Sequence, residues 1–104
     1  MTIVTIDHVP GNEVTQAIGM VQGSTIQSKH IGKDIMAGFK QLVGGELKQY
    51  SEMLQDARRI ALERMVENAE ELGADAVIGF RFATSSVMDG AAEILAYGTA
   101  VKLK

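Results

Sequence analysis

The chain has 104 residues, a length that fits one domain. Hydrophobic residues make up 46% and charged residues 22%, the balance of a globular protein rather than a disordered one. The net charge of -3 and the lack of a basic cluster argue against nucleic-acid binding, and the absence of cysteine excludes disulfides, thiolate metal sites and cysteine nucleophiles.

Aromatic residues amount to 5% with no tryptophan, so the core must rest on Ile, Leu, Val, Ala and Met. A secreted domain of this size usually carries cross-links, so a cytoplasmic location is expected. The opening Met1-Thr2-Ile3-Val4-Thr5-Ile6 has neither a basic stretch nor a long apolar run, so no signal peptide is expected. No apolar run approaches the ~18 residues of a membrane span.

Residues 2–6 are rich in β-branched side chains and predict a strand. Pro10-Gly11 suits the two central positions of a type II turn, which should return the chain into a second strand over residues 14–26. Gly19 and Gly23 fall on one face of that strand and leave room for a bend or a close backbone approach. From Ser28-Lys29-His30 the pattern turns helical, with Ile31, Ile35, Phe39 and Leu42 at three- and four-residue spacing, and Gly44-Gly45 should end this first helix.

A second helix is predicted over residues 46–72, stopping at Gly73. Leu47, Tyr50, Leu54, Ala57 and Ala61 form one apolar stripe, and Leu62, Met65, Ala69 and Leu72 form an adjacent one. Such a helix would be about 40 Å long, more than a domain of this size can cover. Glu67, Glu70 and Glu71 oppose its dipole in the last turn, so a basic group from elsewhere is expected nearby. A third strand is predicted from Asp75 to about Thr84, with Ala76, Ile78, Phe80 and Phe82 on one face and Val77, Gly79 and Arg81 on the other. A hairpin over residues 85–90, signalled by Asp89-Gly90, leads to a fourth strand over 92–103.

That last strand is apolar on both faces: Ile94, Ala96 and Ala100 on one, Leu95, Tyr97, Val101 and Leu103 on the other. A sheet covered by helices on one side normally alternates apolar with polar. Two helices cannot easily cover both faces, so Leu95, Tyr97, Val101 and Leu103 are expected to meet another subunit.

Several stretches resemble the YbjQ-like family: Asp34-Ile35-Met36-Ala37-Gly38-Phe39, Leu42-Val43-Gly44-Gly45, Tyr50, Leu54, Ala57-Arg58, Ala61-Leu62, Met65, Ala69, Leu72-Gly73-Ala74-Asp75-Ala76-Val77-Ile78-Gly79 and Tyr97-Gly98-Thr99-Ala100-Val101. The resemblance spans nearly the whole chain. It implies a single α+β domain over residues 1–104: a dodecin-like two-layer subunit whose antiparallel sheet, in the order β-β-α-α-β-β, packs on one long helix plus a shorter one. It also implies a ring-shaped homo-oligomer, a pentamer, with no settled biochemical activity. The family is sometimes catalogued as a heavy-metal-binding domain, but this chain lacks cysteine and its hairpin tip, residues 86–91, departs from relatives.

Three readings of the side chains follow. The leading one is a non-catalytic ring protein with no cofactor, with any small ligand held at subunit junctions. Tyr50 and Arg58 lie two turns apart and could hold an anion there, with Asp34 as a further ligand-binding candidate; the simpler reading is a core tyrosine and an ion-paired arginine. The second is a metal-binding module on His30 and Asp34, four apart on the first helix, completed by His8. Two ligands fall short of a site, and the simpler reading is a histidine paired with an aspartate. The third is a small enzyme with an inter-subunit site on Tyr50, Arg58 and Asp34. No nucleophile elbow, phosphate loop or dinucleotide fingerprint accompanies it. Asp75 is read as a bond to local backbone and Arg59 as a partner of Asp56 or Glu63. The six methionines read as core filler.

Overall fold

The computed structural model describes residues 1–28, 43–88 and 91–104, with the backbone alone for 43–47, 49 and 50. The predicted first helix, with His30 and Asp34, and the Asp89-Gly90 turn lie outside the described residues. The elements are β1 (Thr2–Ile3), β2 (Val14–Ser28), α1 (Val43–Glu71), β3 (Ala76–Met88) and β4 (Ala91–Leu103). The fold class is α+β, a four-stranded sheet in the order β1-β3-β4-β2 with α1 on one face. α1 starts at Val43, so Gly44 and Gly45 sit in its first turn rather than ahead of it.

The sheet is mixed, not antiparallel throughout. β4 pairs antiparallel with β2 and β3, but β1 runs parallel to β3. The predicted turn forms, with Asn12 N–H donating to the Val9 carbonyl at 3.0 Å and Gly11 at φ 83. It does not make β1 and β2 a hairpin. Residues 7–13 instead carry the chain from the β1 edge of the sheet to the β2 edge.

That crossing has a consequence for packing. Val9 becomes buried against Ala76 and Val101, flanked by Val4, Val14, Ile78 and Leu103. The far face of the sheet is therefore covered at this end by the chain's own N-terminal stretch. The sequence argument counted only helices as covers and missed this one.

On the other face, Ala57, Ala61, Met65 and Ala69 of α1 pack on Val21, Val77, Ile94, Ala96 and Ala100. The small side chains on the helix allow close approach. Contact is tightest at Gly23 of β2. A Cβ placed there would overlap the backbone of Ala61 and Met65. Two α1 side chains also reach the outer edge of β2: Asn68 Oδ1 accepts from Gln22 N–H at 3.1 Å, and Arg64 donates to the Ser24 carbonyl at 2.6 Å.

α1 ends as predicted. Gly73 takes φ 75, its N–H donates to the Glu70 carbonyl, and Ala74 N–H donates to the Ala69 carbonyl. This is the paired-bond C-cap that only glycine adopts without strain. No basic residue lies in the last turn, and Lys102 Nζ supplies the expected cation, 3.6 Å from where a Gly73 Cβ would lie.

The faces of β4 follow the predicted alternation, but those of β3 do not. Gly79, at φ 63, forms a bulge between Ile78 and Arg81. Gly79 N–H and Phe80 N–H both point outward, to the carbonyls of Ile6 and Val4. The extra residue reverses the alternation, so Phe80 packs with Val77 on the helix side while Ala76 and Ile78 stay on the far side.

Gly23→Ala tests the helix seat. We expect a loss of about 1–3 kcal/mol, because the added methyl must push α1 off β2. Chemical denaturation monitored by circular dichroism measures it. An unchanged midpoint would contradict the contact.

Candidate functional site

The far face of the sheet is divided. At one end Val101 is fully buried and Leu103 half-buried beneath the N-terminal stretch. At the other end Leu95 and Tyr97 stay half-exposed. Tyr97 stands directly between Gln22 and Arg81, and Leu95 between Ser24 and Ala83. Directly paired residues share a face, so these six side chains form one patch. Met20 (67% exposed) and Ile26 (61% exposed) continue it along β2.

Arg81 marks the boundary between the two halves. Its guanidinium donates at 2.8 Å to the carbonyls of Thr5 and Phe80, tying the N-terminal stretch to β3. Asp75, expected to bond local backbone, accepts from Leu103 N–H at 2.8 Å and so bonds backbone across the sheet.

The remaining candidates are dispersed among the described residues. Arg58 is exposed on α1. Tyr50 lies on the same helix, its side chain outside the described residues, as is Asp34. Arg59 donates to Glu63 at 3.0 Å and lies 4.0 Å from Asp56, both exposed pairs at helical spacing. Such pairs contribute about 0.2–0.5 kcal/mol.

His8 is exposed and pairs with its neighbour, Nδ1 lying 2.9 Å from Asp7 Oδ1. The His8 hydrogen bond holds the Asp7 carboxyl below its ordinary value. Among the described residues no group of three or more His, Cys, Asp or Glu could hold a metal ion. No described helix is long and apolar enough to cross a membrane.

Sequence reasoning missed Arg81 and Gln22 as members of the patch. For Arg81 the signal was the glycine at position 79; for Gln22 it was its even position in β2, on the face of Met20 and Ile26. A bulge at Gly79 places Arg81 opposite Tyr97.

Among the described residues the geometry thus defines a class: a small α+β domain with one helix on one sheet face and, on the other, a half-covered patch centred on Leu95 and Tyr97. Comparison with known proteins places the chain further. The family described as "Putative heavy-metal-binding", YbjQ, matches residues 1–104. A UPF0145 protein of Fervidobacterium nodosum is 62% identical over 104 residues, covering 100% of this chain and 96% of the relative. A UPF0145 protein of Colwellia psychrerythraea is 59% identical over 100 residues, covering 96% and 95%. The chain belongs to the YbjQ (UPF0145) family. A solved structure of a protein of unknown function from the DUF74 family of Pediococcus pentosaceus superposes with a TM-score of 0.61 at 15% identity, covering 100% of this chain and 98% of that one. That likeness supports the fold.

Val101→Asp separates the two halves of the far face. A carboxylate at a fully buried, apolar position is expected to cost more than ~3 kcal/mol and unfold the subunit. Thermal melting would show it. A stable, folded variant would mean the N-terminal stretch does not cover this residue.

Proposed function

We propose that this chain is a non-catalytic, cytoplasmic subunit, dodecin-like in its two layers, that closes into a homo-oligomeric ring of five copies. Any small ligand is held where subunits meet. Leu95 and Tyr97 carry the reading: they are apolar or amphipathic, central in the sheet, and only partly covered within one chain. Met20 and Ile26 enlarge the exposed apolar surface beside them. A contiguous patch of this kind usually marks a protein–protein contact.

Leu103 and Val101 contribute at most from the margin of this interface, because the chain's own Val9 and Val14 lie over them. Arg58, exposed on α1, is the candidate group for an anionic ligand at a junction, with Tyr50 as its proposed companion and Asp34 as a candidate for a donor group of the same ligand.

Size-exclusion chromatography with light scattering tests the assembly. We expect about 56 kDa, five times the 11.2 kDa subunit. A folded monomer at micromolar concentration would overturn the reading. Tyr97→Asp should keep the circular dichroism of the wild type and lose the assembled mass, since the contact loses its aromatic ring and must desolvate a carboxylate in its place. Full assembly of that variant would refute the face assignment.

A further inference from the structure

Arg81 is only half used. The two carbonyls it binds, those of Thr5 and Phe80, both accept from one nitrogen, Nη1, at 2.8 Å. A guanidinium carries five N–H groups, two of them on Nη1. Nε–H and the Nη2 pair remain, and among the described residues nothing accepts from them. Nε–H and the nearer Nη2–H run parallel, which is an edge that meets a carboxylate with two bonds at once. The carbonyl bonds hold the group in place on an exposed side chain, so little freedom is left to lose on binding.

The neighbours of Arg81 suit one kind of anion. Tyr97 and then Gln22 stand beside it across the sheet, in direct register. Directly paired side chains start about 4.5–5.5 Å apart. The guanidinium, the Tyr97 hydroxyl and the Gln22 amide therefore put three donor groups in one row. Leu95, half-exposed, and Met20, largely exposed, flank the row with apolar surface. The nearest strand carboxylate on this face is Glu93, four residues along β4 from Tyr97 and so about 13 Å away. On the crossing stretch, Asp7 is engaged by His8. One cation balances one negative charge. A phosphate group, at about -1.5 to -2, would be under-compensated here on a chain of net charge -3. An aromatic body suits Tyr97, whose ring stacks, and Met20, whose sulfur is drawn to ring edges.

We infer that the row Gln22, Tyr97 and Arg81 binds a small aromatic carboxylate, with Arg81 as its anchor. The carboxylate takes the free edge of the guanidinium, and the ring lies along Tyr97 and Leu95. The inference rests on the reading above that a small ligand sits where copies meet. It names the class of that ligand and gives it an anchor on the sheet, apart from Arg58 on α1.

Titration of the wild type with sodium benzoate, followed by the backbone amide and arginine Nε signals in NMR, tests the site. We expect saturable shifts centred on Arg81, Tyr97 and Gln22. Benzamide, which has the ring without the charge, should bind at least about tenfold more weakly. Arg81→Lys keeps the charge and loses the parallel edge, so it should weaken benzoate at least about tenfold. Because Arg81 also ties down the crossing stretch, a second pair of variants leaves it alone. Gln22 is exposed, so Gln22→Glu and Gln22→Lys should both fold. The first should weaken benzoate binding about three- to tenfold, and the second should strengthen it by a similar factor. Absence of saturable shifts overturns the inference, and leaves the ring standing where light scattering shows five copies. Saturable binding by a protein that stays a single chain upholds the inference and overturns the ring. Shifts centred on Arg58, equal affinity for benzamide, or an unchanged affinity in Gln22→Glu would each overturn the inference.

Discussion

One contact governs the layout of the subunit: the seating of α1 on β2 at Gly23. The absence of a side chain lets the helix backbone at Ala61 and Met65 lie directly on the strand. Ala57 and Ala69 extend the same close approach along the helix. Asn68 and Arg64 lock it from the rim by bonding β2 backbone. A helix held this tightly over β2 and β4 reaches β3 only at its start, at Val77 and Phe80. The exposed run from Arg81 to Met88 follows from that choice.

The second constraint is the crossing of the N-terminal stretch. Because β1 sits at one edge and β2 at the other, the intervening residues have to traverse the far face. They bring Val4 and Val9 onto Ala76 and Val101 and close that end of the sheet. What remains open is the end carrying Leu95 and Tyr97. The chain thus covers its apolar sheet faces by two separate means and leaves Leu95 and Tyr97 partly exposed between them.

Much of this was legible in the residues, and the failures have physical causes. Helix α1, its glycine cap at Gly73 and the double-faced β4 were readable because they rest on local periodicity and on backbone conformations that glycine alone favours. The room left at Gly23 was readable, though its occupant was not. The parallel pairing of β1 was invisible: Thr2 and Ile3 carry no mark of which distant strand they join. Reading β3 by strict alternation failed at Gly79, where one bulged residue moved Phe80 to the helix side. The candidate site fared less well. Arg58 and Tyr50 share a helix, and among the described residues His8 pairs with Asp7. Residue type and spacing along a chain do not specify what a neighbouring copy brings to a junction.

We propose that a helix committed to one side of the sheet leaves apolar surface that further copies of the chain cover. A native mass spectrum of protein taken from its own cell tests it most directly, over a dilution series. The account predicts one closed stoichiometry of five with little free subunit at micromolar concentration. A spectrum dominated by folded monomer at every dilution would contradict it.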